Sequence, residues 1–155
     1  MALVVGTDTY ADVATVDAYH TRYGNSTWTG TEAEKEQAIL RAMQFIEQKT
    51  YIGTKATQEQ SLEWPRIDAY DRNGYEIEGV PQGVIDALCQ TSLKELLEPN
   101  VTLAVRTGQN IKKKKIDVLE TEYFEGIPSA PVYTDINASL RGLVVSSTSA
   151  KVIRV

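Results

Sequence analysis

TEAEKEQAILRAMQFIEQK, residues 31–49, is the stretch on which the fold turns. Thr31 and Glu34 have the spacing of a capping box, in which the hydroxyl takes the amide three residues on and the glutamate reaches back. Behind them Ala38, Ile39, Ala42, Met43, Phe45 and Ile46 recur on a 3.6-residue period, which lays an apolar stripe along one helix face. Glu32, Glu34 and Glu36 sit at the positive end of the helix dipole and Lys49 near the negative end. The pattern predicts a helix from Thr31 to about Thr50.

Two more helices flank it. Downstream, Pro81 stands where a first helical turn opens. Val84, Ile85, Leu88, Cys89, Leu93, Leu96 and Leu97 then form a stripe that ends before Pro99. Upstream, Thr15 reads as an N-cap, Asp17 as a first-turn acid and Gly24 as a stop, giving a helix over about 16–23. Its stripe is Val16, Tyr19, His20 and Tyr23, with Tyr19, Tyr23 and Trp64 expected in or near the core.

Between these helices, residues 53–65 are polar, with a helical turn expected near Glu59–Leu62. Trp64-Pro65 predicts an extended link, because the residue before proline avoids the α region. Asp71-Arg72-Asn73-Gly74-Tyr75 contains Asn-Gly and predicts a small hairpin flanked by Tyr70 and Tyr75. Residues 2–5 read as a brief strand or arm.

After Pro99 the pattern changes. Lys112, Lys113, Lys114 and Lys115 form a basic run, and Ile116, Val118 and Glu120 alternate like a strand. A short helix is expected over Tyr133–Leu140, followed by β-prone tails at Leu143–Val145 and Val152–Val155. The expected fold class is mainly α: a small bundle of three to four helices with a β-hairpin insertion and an extended, partly β C-terminal arm. Residues 1–100 form the helical body; residues 101–155 form the arm, with short strands and a short helix.

The chain has 155 residues and a net charge of −5, unevenly spread. Residues 1–100 carry 8 Lys+Arg against 16 Asp+Glu, whereas residues 101–155 carry 8 against 5. An acidic body disfavours duplex DNA, where phosphate neutralisation supplies most non-specific affinity. Cys89 and His20 are the only residues of their types, which excludes a disulfide framework and argues against a structural zinc site. The N-terminal residues carry neither a signal-peptide pattern nor a membrane span, so a soluble, cytoplasmic chain with no membrane partner is expected.

No phosphate-binding loop, dinucleotide fingerprint, nucleophile elbow or HExxH motif occurs, so the expectation is no enzyme, no catalytic residue, no metal and no cofactor. His20 reads as a packed imidazole and Cys89 as a small buried hydrophobe. Trp28 and Trp64 could stack on bases, but stacking needs a basic groove, and both read as core anchors. The lysine run could touch phosphate or an acidic protein, or serve as a solvated loop that protects a strand edge.

Taken in order, several segments resemble the head–tail adaptor proteins of long-tailed bacteriophages, also called connector or head-completion proteins and sometimes labelled DnaT-like ssDNA-binding. They are Val16-Asp17-Ala18-Tyr19, Glu36 to Ala42, Leu62-Glu63-Trp64-Pro65-Arg66, Asp71 to Gly74 and Val80-Pro81-Gln82-Gly83-Val84. The resemblance makes Tyr19, Trp64, Pro65, Arg66, Asp71, Gly74 and Pro81 signature structural residues. It implies a structural virion protein at the phage neck, assembled in the host cytoplasm. Such a protein forms a ring, commonly a dodecamer, beneath the portal protein and meets a tail-side connector or tail terminator protein. Genomic DNA passes through the lumen without sequence-specific binding. Portal or neighbour contacts then fall to Lys112, Lys113, Lys114, Lys115, Val152, Ile153, Arg154 and Val155, and a chain cut before residue 144 should stay folded. The rival reading is a single-stranded-DNA-binding module, which needs an aromatic-lined groove with cations and is separated by salt-dependent retention on single-stranded DNA.

Overall fold

In the computed structural model, residues 3–103, 114–116, 119–121 and 133–145 are described. Helix α1 runs Val13–Arg22, three residues earlier than the sequence suggests. The cap is Asp12 and not Thr15: its carboxylate accepts from both the Thr15 amide (2.8 Å) and the Thr15 hydroxyl (2.6 Å). A carboxylate there also complements the helix dipole. Gly24 ends the helix as expected, with φ +67°, while Asn25 and Gly24 donate back to the His20 and Thr21 carbonyls, the Schellman pattern.

Helix α2 spans Glu32–Glu47, and both halves of the Thr31–Glu34 capping box are formed. The Thr31 hydrogen bonds hold the Glu34 carboxyl below the usual carboxylate range. The helix stops before Thr50, and Lys49, beyond its end, lies 4.0 Å over the Phe45 ring. Helix α3 spans Gln82–Leu97, with Pro81 as its N-cap, one position ahead of the expected first turn. Helix α4, Thr134–Ser139, occupies the short helix anticipated near Tyr133–Leu140. The fold is mainly α, with four helices and a small antiparallel β hairpin among the described residues.

The chain divides into two units, residues 1–103 with 134–155, and residues 104–133. In the first, α2 packs along α3, burying Ala38, Ile39, Ala42, Met43 and Ile46 against Val84, Ala87, Leu88 and Cys89. The alanines keep the two axes close, and each larger apolar side chain contributes about 1.5–3 kcal/mol. Val16 and His20 of α1 and Ile136 of α4 are also buried. Residues 134–145, assigned by sequence to the C-terminal arm, pack into this unit: the Ser139 carbonyl would lie 2.4 Å from a Cβ at Gly83. Val144 bridges Tyr51, and Val145 donates to the Thr50 carbonyl, so a cut before residue 144 removes backbone pairing from the body.

Residues 53–65 hold no helical turn; Thr54–Lys55 instead forms β1, paired antiparallel with β2, Arg66–Ile67. The reason is tertiary. The Arg66 guanidinium donates to the Ile52 carbonyl (2.7 Å), the Gly53 carbonyl (2.8 Å) and the Glu63 carboxylate (2.6 Å), fastening the two segments together. The Trp64-Pro65 peptide bond between them is cis. In the second unit, β3 (Lys114–Ile116) and β4 (Leu119–Thr121) pair antiparallel, so the single strand read through Ile116, Val118 and Glu120 is two strands.

Candidate nucleic-acid interface

The two tryptophans are unavailable for stacking. Trp64 is 1% exposed and packs edge-on to Tyr51; its amide donates to the Tyr10 hydroxyl. Tyr10 in turn donates to Glu47, whose carboxyl burial pushes up, while burial and Glu47 hold the Tyr10 hydroxyl well above its ordinary range. Trp28 is 7% exposed, and its indole donates to Asp17 at 2.6 Å, where Lys35 also binds. Burial opposes ionisation of Asp17, but these two donors outweigh it and hold the carboxyl below its usual value.

His20 is buried beside Trp28. Its Nε2 donates to the Cys89 carbonyl (3.1 Å), Nδ1 accepts from the Asn25 amide (3.0 Å), and the Trp28 ring lies 4.7 Å away. Burial lowers its pKa, so the ring is a neutral structural brace. Burial also pushes the Cys89 thiol up to about 12, which suits an inert core residue.

The other sequence candidates separate. Tyr19 lies on α1, Trp64, Pro65 and Arg66 around β2, and Pro81 at the cap of α3. Asp71 and Gly74 form a turn: the Asp71 carboxylate accepts from the Asn73 and Tyr75 amides, and Gly74 takes φ +85°. The Tyr70–Glu76 bridge makes this a minimal hairpin with five residues, 71–75, between the bridged pair. Lys114 and Lys115 lie on β3; Lys112, Lys113, Val152, Ile153, Arg154 and Val155 lie outside the described residues.

What the structure does bring together is a groove between α1 and α3 of about 380 Å³, within the range of small-molecule sites. Ala18, Ile85 and Cys89 supply apolar lining. One wall is the Tyr19–Tyr23 pair, with ring centres 4.6 Å apart, beside Arg22. Tyr23 is 59% exposed, contrary to the core placement read from the sequence. It is the C-cap residue, past the last turn of α1, so its ring rests on Tyr19 instead of beneath α3. The Tyr19 hydroxyl accepts from the Gln90 amide (3.1 Å), and burial raises its pKa. Thr15, Gln82 and Asp86 supply the polar rim, with Gln82 donating to Asp86 at 2.8 Å.

A second hollow, about 400 Å³ and bounded by Gln37, Arg41 and Leu97, has no aromatic lining. Tyr70 and Tyr75, 51% and 72% exposed, add two more rings to the surface at the hairpin. Sequence reasoning looked to the tryptophans for stacking and overlooked these tyrosines. The available signals were their positions, one before a helix-stopping glycine and two around an Asn-Gly turn. Among the described residues no helix is long and apolar enough to cross a membrane, and no His/Cys/Asp/Glu cluster could hold a metal.

The family model described as "Putative DnaT-like ssDNA binding protein" matches residues 2–155. No curated protein and no solved structure matches the chain. The match corrects the head–tail adaptor resemblance: the family is described by single-stranded-DNA binding, and nothing in it supports a virion role, a ring, a portal or a tail partner.

Proposed function

The chain belongs to the DnaT-like ssDNA-binding family, and on that premise we propose that it is a single-stranded-DNA-binding module, not an enzyme. The observation that carries this reading is the exposed Tyr23 ring resting on the half-buried Tyr19 ring beside Arg22, walling a groove between two helices. Each base has a π face, so aromatic platforms bind single strands with little regard to sequence, whereas a duplex hides those faces. The acidic body leaves stacking, not phosphate neutralisation, as the main source of affinity. Arg22, beside the ring pair, supplies a phosphate contact.

Fluorescence anisotropy of the full chain with a labelled thymidine oligonucleotide, single-stranded and as a duplex, tests the proposal. The single strand should bind, the duplex should bind more weakly, and the salt slope should be shallow, about 0.7 per phosphate neutralised. Replacing Tyr23 with alanine should weaken binding roughly five- to thirty-fold, the lower part of the range for losing one stacking ring. Equal affinity for duplex and single strand, or no binding at low salt, would refute it.

A further inference from the structure

We propose that the α1–α3 groove is a base-reading subsite that prefers guanine, an inference resting on the single-stranded-DNA reading above. Asp86 can only accept when ionised. One of its oxygens takes the Gln82 amide at 2.8 Å, and a carboxylate keeps further lone pairs. The Gln82 amide nitrogen gives one N–H to Asp86 and keeps a second, so Gln82 can both donate to and accept from a ligand. The Thr15 hydroxyl proton is committed to Asp12 at 2.6 Å, so that oxygen also faces a ligand as an acceptor. Donors come from Arg22 and from the Tyr19 hydroxyl, which already accepts from Gln90.

Within this mixed rim the Asp86 carboxylate, which only accepts when ionised, selects a base edge that offers donors. Guanine has two adjacent donors, N1–H and the N2 amino group, which match the two oxygens of a carboxylate. It also carries O6 and N7 acceptors suited to an arginine. Thymine has a single N3–H between two carbonyls, and those carbonyls would face the Asp86 charge. Cytosine and adenine pair an amino donor with a ring acceptor, which the same carboxylate repels. The Tyr19–Tyr23 wall holds any base by stacking; Asp86 then discriminates among them.

The test measures anisotropy of the full chain with three oligonucleotides: all thymidine, one central thymidine replaced by deoxyguanosine, and the same position as deoxyinosine. Inosine keeps N1–H but lacks the amino group. Deoxyguanosine should bind roughly ten-fold tighter than thymidine, the scale of one well-formed bidentate pair, with inosine between them. In Asp86→Asn, verified as folded by circular dichroism, the guanine-to-thymine ratio should collapse toward one. Equal affinities for all three oligonucleotides would overturn the guanine preference while leaving single-strand binding standing. A preference that survives Asp86→Asn would overturn the assignment to this groove. Failure to bind any of the three would overturn the functional reading itself.

Discussion

Replacing Glu95 should destabilise this protein far more than replacing its cationic neighbour. Glu95 is 0% exposed. Its carboxylate accepts from the Asn100 amide (2.6 Å), the Thr102 amide (2.9 Å) and the Thr102 hydroxyl (2.5 Å), with Arg41 Nε at a looser 3.5 Å. Glu95→Ala strands the donors of the 100–102 turn and leaves a mostly buried guanidinium uncompensated. Removing one member of a buried charge pair costs about 3–5 kcal/mol. Asn100 is exposed, so its amide can recover water, which places the expected cost near the bottom of that range, about 3 kcal/mol. Arg41→Met leaves Glu95 with all three turn donors. That side chain is 24% exposed and its ion pair long, so about 1 kcal/mol is expected. Urea denaturation should show midpoints shifted in this order with the m-value unchanged. The Glu95 variant should also melt roughly 6–12 °C lower. Arg41→Met costing as much as Glu95→Ala would refute the reasoning, because the ion pair and not the turn would then be the source of stability.

Arg66→Lys should cost about 2–3 kcal/mol in the same assay, because one ammonium cannot replace a fork that meets the Ile52 and Gly53 carbonyls and Glu63 together; a neutral result would mean β1 and β2 hold without it. Gly53→Ala should cost about 2 kcal/mol or more, since φ is +72° and the new Cβ would meet the Ile67 carbonyl oxygen at 2.5 Å; a wild-type melting point would disprove that strain. His20 is kept neutral by burial, so its folded pKa lies below the ordinary 6.5 and the unfolded chain binds more protons between the two values. Stability should therefore fall as pH drops below about 6.5, an effect absent from His20→Gln. Asp17, held low, adds its own loss only below its ordinary 3.8, and Glu47, held high, opposes the His20 loss as it protonates above its ordinary 4.5. An identical pH profile in the variant would rule out His20 as the cause.

The helices were legible because their determinants are local. The Thr31–Glu34 box, the Gly24 stop and the apolar stripes of α2 and α3 lie within a few residues of what they control. The turn at Asp71–Gly74 was legible for the same reason, as was the burial of Trp28, Trp64 and Cys89, whose size and surroundings leave little alternative. The first helix start was misplaced by three residues because Asp12 and Thr15 are both good caps, and only the geometry shows which one accepts. The family resemblance pointed to a phage neck, and the family match pointed instead to single-stranded DNA. Sequence thus determined where α2 and α3 run and that both tryptophans leave water. Tertiary structure decided the rest: that Arg66 turns a polar loop into a strand pair, that residues 134–145 close the core, and that Tyr23 overhangs α1 beside Tyr19 to wall a groove with Asp86. Those outcomes depend on groups brought together from distant parts of the chain, and no local pattern encodes where such groups meet.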